Sequence, residues 1–314
     1  MHRTLLIFGL LSLLTGGAMA QEDDLLKLLG EEDTGPEYST AAFKTTRVIN
    51  GHSLENTAHG VLDFRIGHRF GPVNSGANEF WGLDQATIRL GLDYGVTDRL
   101  MIGIGRSSYQ KTYDGFVKYK LLRQCDAGCT MPLTLAFVAA TSINGIPQST
   151  LWPYPEEERP FYFSHRMAYS FQLIAGRKFS ESISFQLNPG LVHINLVEKA
   201  DQTNDIFHLS GAGRVKLSKR VAINAEYFYV LPGQIPEPTA ADLAAGELPV
   251  RNSFSIGFDI ETGGHVFQLH MTNSLAMFER GYITETTEQW SDGGIHFGFN
   301  ISRVFTLHDP KPKR

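Results

Sequence analysis

After its first 20 residues, the chain has no long hydrophobic run. No stretch of the remaining sequence approaches the roughly 20 consecutive apolar residues that a transmembrane helix needs, so a helical span is excluded there. Hydrophobic residues nevertheless make up 42% of the 314 residues. That fraction suits either a soluble protein or a membrane β-barrel, and only the arrangement of the apolar residues distinguishes the two.

The chain is also poor in cysteine and lacks the short motifs of common enzymes and metal proteins. It has no CxxCH, GxSxG or HExxH sequence and no acidic cluster with the spacing of metal ligands. We therefore predict no metal site and no cofactor. The two cysteines, Cys125 and Cys129, lie in a predicted tight turn and are close enough for a disulfide bond in an oxidising compartment.

Net charge is small over most of the chain, although the formal total is -5. Between Gln21 and Thr40 seven acidic residues face a single Lys27, whereas Ala41 to Arg314 sums to zero. An acidic leader without a basic domain argues against a nucleic-acid partner. Within the leader, Asp23 to Asp33 places leucines beside acids, and it is either a short docking helix for a periplasmic protein or a solvated segment.

The first 20 residues have the three parts of a secretory signal peptide. His2 and Arg3 give a basic start, Leu5 to Leu14 is apolar, and Ala18 to Ala20 offers small residues for cleavage. The apolar part is too short to span a membrane as a helix. We predict that residues 1–20 are removed and that the mature chain begins at Gln21.

The clearest pattern in the mature chain is a strict apolar and polar alternation between Gln85 and Gly105. Ile88, Leu90 and Leu92 share one face of this stretch, and Arg89 and Asp93 share the other. Because side chains alternate across a strand, this period predicts two strands of about ten residues joined by a tight turn at residues 96–99. A tilted strand of that length crosses the hydrocarbon of a bilayer.

The same unit recurs along the chain from residue 60 to residue 307. About twelve alternating segments are joined in turn by short connections and by mostly longer polar loops. This predicts an all-β, antiparallel, up-and-down transmembrane β-barrel in the outer membrane, with short periplasmic turns and long extracellular loops. A soluble sandwich or lipocalin-like barrel would also alternate, but it would not need to sort its loops by length. A basic tail, residues 308–314, follows the barrel.

Two parts of this barrel bear on function. Residues 21–59 precede the first strand as an acidic leader, and the part from Ala41 onwards has no clean period, so it either hangs in the periplasm or plugs the lumen. The inward face of the strands carries charge, and the candidates for solute selectivity are Arg65, Arg69, Arg89, Lys118, Lys120, Asp63 and Asp93. These residues form either a basic constriction for anions or a lumen filled with ion pairs.

Three functions fit these features. The first is passage or binding of a small solute, for which an anion is one option, and the second is a closed scaffold barrel that recruits a partner. A barrel hydrolase is third, since Ser210 and Asn300 share the inward phase with His208, His270 and His296, but no local motif supports it. We therefore predict a protein that is not an enzyme.

Several segments resemble an uncharacterised family of Gram-negative outer-membrane β-barrel proteins, catalogued as a domain of unknown function. The resemblance is carried by FKTTRVINGHSLE (43–55), LDFRIGHRFG (62–71), WGLDQATIRLGLDYGVTDRLMIGIGRS (81–107) and YDGFVKYKLL (113–122). It covers most of the mature chain and implies a barrel in the outer membrane. It implies no activity and no functional residues.

Overall fold

A computed structural model describes residues 35–152, 160–197 and 202–308. The predicted signal peptide, the leader segment Asp23 to Asp33 and the tail beyond His308 lie outside the described residues. No helix within the described ranges is both long and apolar enough to cross a membrane.

Two compact units divide the chain, and the smaller one joins residues 35–38 to residues 125–130. Its strands β1 (Glu37–Tyr38) and β6 (Cys125–Ala127) pair in antiparallel orientation. Cys125 and Cys129 form a disulfide bond in this unit, with their Cα atoms 5.7 Å apart. The sequence predicted a tight turn here, and the structure instead has a three-residue strand that pairs with the leader.

The larger unit is a closed antiparallel barrel of twelve strands, which confirms the predicted fold. Its strands are β2 (Val61–Pro72), β3 (Ala86–Gly95), β4 (Leu100–Ser107), β5 (Tyr113–Leu122), β7 (Thr134–Ile143), β8 (Met167–Lys178), β9 (Ile183–Ile194), β10 (Asp205–Lys216), β11 (Val221–Val230), β12 (Ser253–Thr262), β13 (His265–Thr272) and β14 (His296–Thr306). Each strand pairs with the next barrel strand along the chain. The seam between β14 and β2, where Ile301 lies opposite Ile66, closes the sheet and removes both edges.

Burial follows the alternation that the sequence predicts. On β3, Arg89 and Asp93 are buried, whereas 49% of the surface of Leu90 is exposed between them. The same pattern on the other strands gives an apolar outer belt around a polar interior. Arg303 is an exception on the belt, and its guanidinium lies 5.0 Å from the centre of the Phe305 ring.

The connections differ in length at the two ends of the barrel. One end, here called the short-turn end, carries residues 96–99, 123–133, 179–182, 217–220 and 263–264 together with both termini of the barrel. The other, the long-loop end, carries residues 73–85, 108–112, 144–166, 195–204, 231–252 and 273–295. The helices α1 (Gln148–Leu151), α2 (Ala240–Ala244) and α3 (Glu279–Thr284) lie in these long loops.

Two connections depart from the predicted sorting. The connection 123–133, predicted to be tight, is longer because it contains β6 and the disulfide bond. The connection 108–112 is short because Gln110 and Lys111 adopt φ angles of 49° and 51°, which reverse the chain within one turn. Which end faces the periplasm stays a prediction from loop length.

The outer belt gives a direct test of the predicted lipid contact. Leu90 lies in the middle of β3 and points outward, so Leu90→Arg is expected to lower the free energy of unfolding by about 2 to 4 kcal/mol in phospholipid vesicles. Leu243→Arg on α2, which is 52% exposed in a long loop, is the control and should change it by less than about 0.5 kcal/mol. Equal losses in urea unfolding of the two variants would contradict a lipid-facing belt.

Candidate functional site in the barrel lumen

Residues 41–58, here called the plug, lie inside the barrel. Phe43, Val48 and Leu54 are almost completely buried and belong to one apolar cluster with inward side chains of the wall. The wall contributes Met101, Phe116, Ala136, Val138, Ala140, Ile174 and Ala212 to this cluster. The plug is thus packed against an apolar patch on an otherwise polar inner face.

The plug forms a small hairpin in the lumen. Arg47 and His52 form an antiparallel bridge, and the Val48 N–H donates to the Gly51 carbonyl over 2.8 Å. This geometry makes a tight turn whose tip, Ile49 and Asn50, points its backbone N–H groups towards β11. A tight turn leaves several backbone groups without partners in the hairpin, and the wall has to supply them.

Glu226 on β11 binds the tip of this turn. Its carboxylate accepts hydrogen bonds from the backbone N–H groups of Ile49 at 3.2 Å, Asn50 at 2.8 Å and Gly51 at 3.0 Å. Bonds to an ionised acceptor are stronger than those between neutral groups, and successive N–H groups form a natural anion cradle. A Cβ at Gly51 would lie 2.7 Å from Cζ of Phe228, so a larger residue there would have to displace this buried ring.

Other wall side chains donate to the carbonyl groups of the plug. Gln268 Nε2 donates to the Val48 carbonyl at 2.8 Å, and Gln186 Nε2 donates to the His52 carbonyl at 2.7 Å. At the short-turn end, Lys44 of the plug pairs with Glu261 on β12. The plug therefore has polar contacts on several sides of the barrel as well as its apolar cluster.

All seven predicted selectivity candidates point into the lumen, and five of them contact the plug. Arg69 Nη2 donates to Asn50 Oδ1 at 2.8 Å, and Lys118 Nζ donates to the Ser53 carbonyl at 2.6 Å. The remaining three contacts are Arg65 Nη1 to Thr46 Oγ1 at 3.3 Å, Thr46 Oγ1 to Asp93 Oδ2 at 3.2 Å and Lys120 Nζ to Glu55 Oε2 at 3.9 Å. Basic side chains of the wall are therefore hydrogen-bonded to the plug.

The other two candidates are paired within the wall. Arg89 bonds Asp114 on β5 through both Nε, at 2.9 Å, and Nη2. Asp63 accepts from Ser302 Oγ at 2.6 Å and lies 3.7 Å from Arg65. The sequence predicted mixed charges here but did not single out Asp114, although it lies on the inward phase of β5 and is buried.

A second element enters the lumen from the long-loop end. Tyr282 and Ile283 of α3 are fully buried, and the Tyr282 ring lies 4.8 Å from that of Phe228. These residues share an apolar cluster with Val192 on the wall. This six-residue helix has no periodic pattern in the sequence, and its signal there is a few apolar residues inside a long polar loop.

The plug and α3 meet through a buried ion pair. Glu279 Oε1 lies 2.7 Å from Arg47 Nη1 and 3.3 Å from His52 Nε2. Burial alone would raise the pKa of the Glu279 carboxyl, but Arg47 and the hydrogen bond from His52 hold that pKa well below its usual range. Burial, reinforced by Arg47, lowers the pKa of His52 well below its usual range, so His52 is neutral at pH 7.

Two spaces in the lumen lie along the seam between β14 and β2. A cavity of about 480 Å³ opens beside the plug at the short-turn end and reaches Asp63 and Ser302. The second space is a pocket of about 20 Å³, here called the arginine pocket, which is lined by Arg47, Ile49, Asn50, Arg65, Ile66, Gly67, Arg69, Arg89, Met277 and Asn300.

The residues of the hydrolase hypothesis make no hydrogen bonds with one another in the described part of the chain. Ser210 Oγ donates to the Asn188 carbonyl at 3.2 Å. Within the described ranges, the ring nitrogens of His208 and His270 have no hydrogen-bond partner. No three His, Cys, Asp or Glu side chains of the described chain are grouped so that they could hold a metal ion.

Comparison with solved structures finds outer-membrane barrels at low identity. The NanC porin is 10% identical with a TM-score of 0.46, and the match covers 78% of this chain and 98% of that one. Omp33 of Acinetobacter baumannii is 7% identical, with a TM-score of 0.38 over 78% and 97% of the two chains. The CymD monoaromatic hydrocarbon channel is 11% identical, with a TM-score of 0.33 over 81% and 90%. Such similarity says nothing about what this chain carries.

Comparison of sequences identifies the family. No curated protein sequence matches the chain. A family model described as a membrane-bound β-barrel domain matches residues 43–305, from the plug to the last barrel strand. This match confirms the predicted resemblance to a family of membrane β-barrels and shows a membrane-bound barrel, which has the bilayer as its surroundings. The chain therefore belongs to the membrane-bound β-barrel domain family DUF5777.

Proposed function

We propose that this protein is a gated outer-membrane channel for a small anionic solute, closed by the plug and α3. This proposal rests on the hydrogen bonds between the plug and the basic side chains of the wall. Arg65 donates to Thr46 and Arg69 donates to Asn50. Oxygen atoms of the plug thus accept from the guanidinium groups that would otherwise bind a passing anion. Displacement of the plug would return these donors to the lumen.

The distribution of charge supports an anionic solute. On the inward face of β2 to β5, five basic residues stand against three acidic ones. They are Arg65, Arg69, Arg89, Lys118 and Lys120 against Asp63, Asp93 and Asp114. Once the plug has left, this side of the lumen carries an excess of positive charge, which attracts anions and repels cations over several ångströms.

Single-channel recording in planar bilayers tests this function. The full-length protein is expected to show rare openings that favour chloride over potassium. Arg65→Gln together with Arg89→Gln should shift the reversal potential towards potassium, because two cationic groups leave the wall and Asp114 loses its partner. Arg106→Gln, which removes an exposed outward arginine from β4, is the matched control and should change nothing. Absence of channels, or selectivity that does not depend on Arg65 and Arg89, removes the proposal.

A closed scaffold barrel is the second candidate. It is favoured by the apolar packing of Phe43, Val48 and Leu54, which stabilises the plug beyond what polar contacts alone provide. In this case the acidic segment Asp23 to Asp33 or the long loops recruit a protein partner. Affinity capture with the full-length chain and with a variant that lacks residues 21–40 separates the two: a partner that requires the leader supports the scaffold.

A further inference from the structure

We propose that the arginine pocket binds one small monovalent anion of the chloride class. The site is made jointly by the plug, through Arg47 and Asn50, and by the wall, through Arg65, Arg69 and Arg89. Its occupation does not depend on the channel function. The effect of the bound anion on closure of the lumen rests on the gating proposed above.

The charges around the pocket leave one cation without a carboxylate. Arg47 is paired with Glu279, Arg89 with Asp114, and Arg65 lies 3.7 Å from Asp63. Among the described residues, no carboxylate oxygen lies within 4.0 Å of a nitrogen of Arg69, which is 1% exposed. A buried charge without a counterion is costly, so this position favours a single negative charge.

The hydrogen bonds of Arg69 leave one of its N–H groups without an acceptor among the described residues. Arg69 donates to three neutral acceptors, Asn50 Oδ1, Asn300 Oδ1 and the His68 carbonyl. Its buried Nε has no acceptor within the described part of the chain. Glu226 does not fill this role, because its carboxylate accepts from the backbone N–H groups of Ile49, Asn50 and Gly51 and, among the described residues, makes no ion pair with Arg69. A guanidinium with a spare buried donor is expected to have an acceptor, and an anion is the strongest one.

The size and lining of the pocket select the class of ligand. Its volume of about 20 Å³ accommodates one water molecule or a monatomic anion and is too small for a sugar acid or a nucleotide. Four arginines and no carboxylate line it, which disfavours a metal cation. The aliphatic side chains Ile66 and Met277 complete the lining, and a weakly hydrated halide tolerates such neighbours better than a strongly hydrated ion does.

The shared construction links anion binding to the plug. Because Arg47 and Asn50 belong to the plug, the complete pocket exists only while the plug is in place. A ligand that binds one of two states stabilises that state in proportion to its concentration over its dissociation constant. A bound halide therefore favours the closed lumen.

Bromide is a suitable probe because its anomalous scattering locates it. Crystals of the full-length protein grown in sodium bromide are expected to show one anomalous peak between Arg65 and Arg69. The melting temperature should also be higher in sodium bromide or sodium chloride than in sodium gluconate at equal ionic strength. Arg69→Gln is expected to abolish the peak and the halide dependence, while Arg106→Gln keeps both.

The outcomes separate this proposal from the channel function. Wild-type crystals without a peak in the arginine pocket overturn the anion site, and this measurement does not depend on whether Arg69→Gln folds. An equal halide effect on wild type and a folded Arg69→Gln variant also overturns it. A bromide peak in a protein that never conducts leaves the site in place and removes the channel.

Discussion

Deletion of residues 41–58 is expected to convert a barrel whose lumen holds the plug into a pore that conducts continuously. The plug supplies hydrogen-bond partners to Glu226, Arg69 and Lys118 and covers the apolar patch around Phe116. The barrel itself is closed by its own backbone pairs, so it should fold without the plug. Planar-bilayer conductance of the variant should exceed the time-averaged value of the full-length protein by at least tenfold.

This experiment needs controls for the folding of the barrel and for closure of the lumen by α3. A variant that lacks residues 22–33 and keeps the plug is the matched control and should remain closed. Resistance to unfolding in cold detergent shows that the barrel has formed. If a folded variant without the plug conducts no more than the full-length protein, even after α3 is replaced by glycine and serine, the gated channel is wrong and the scaffold is favoured.

Arg47→Met is expected to open the lumen in the full-length chain. It leaves the Glu279 carboxylate buried without its cation, and breaking a buried pair in this way costs about 3 to 5 kcal/mol. If the cost falls on the closed state alone, the open fraction rises by about a hundredfold or more, since 1.4 kcal/mol corresponds to a factor of ten. The double variant Arg47→Met with Glu279→Met replaces both charges by apolar groups. Its open fraction should return most of the way to that of wild type.

The pH dependence of closure should differ between wild type and Arg47→Met. In wild type, Arg47 holds the pKa of Glu279 well below its usual range, so this contribution to closure stays constant between pH 7 and pH 5 and is lost only in stronger acid. Without Arg47, burial raises that pKa, and protonation removes the unpaired charge as the pH falls. Acidification should therefore close the Arg47→Met channel. A variant that stays as closed as wild type at pH 7 would contradict the role of the pair.

The strands and their inward faces could be predicted because each depends on local sequence. A period of two fixes which side chains face lipid, and barrel strands pair with their neighbours in the chain, so Leu90 and Arg89 could be assigned without knowledge of distant contacts. The partners of the inward side chains were harder to predict. Arg89 meets Asp114 rather than Asp93, because the stagger between β3, β4 and β5 decides which inward side chains come together.

The sequence left open whether the segment before β2 hangs in the periplasm or plugs the lumen, because the structure of the plug is set by residues far away in sequence. Asn50 and Glu226 are 176 positions apart, and a turn whose backbone is bonded by wall side chains needs no periodic pattern of its own. One signal was present: Met101, Phe116 and Ile174 are apolar residues on the inward phase of polar-lined strands. Such residues have to be covered by something inside the barrel, and the unpatterned segment before β2 was available to cover them.

The seam between β14 and β2 has a consequence for assembly. The first and last barrel strands meet there, so the barrel can close only after the whole chain has been synthesised and delivered to the membrane. The plug precedes β2 directly and binds β11 and β13, which come late in the chain. These long-range contacts are expected to form in the same step as seam closure. A maturing barrel would then never present an open hole in the membrane, and its permeability barrier would be in place from the moment of insertion.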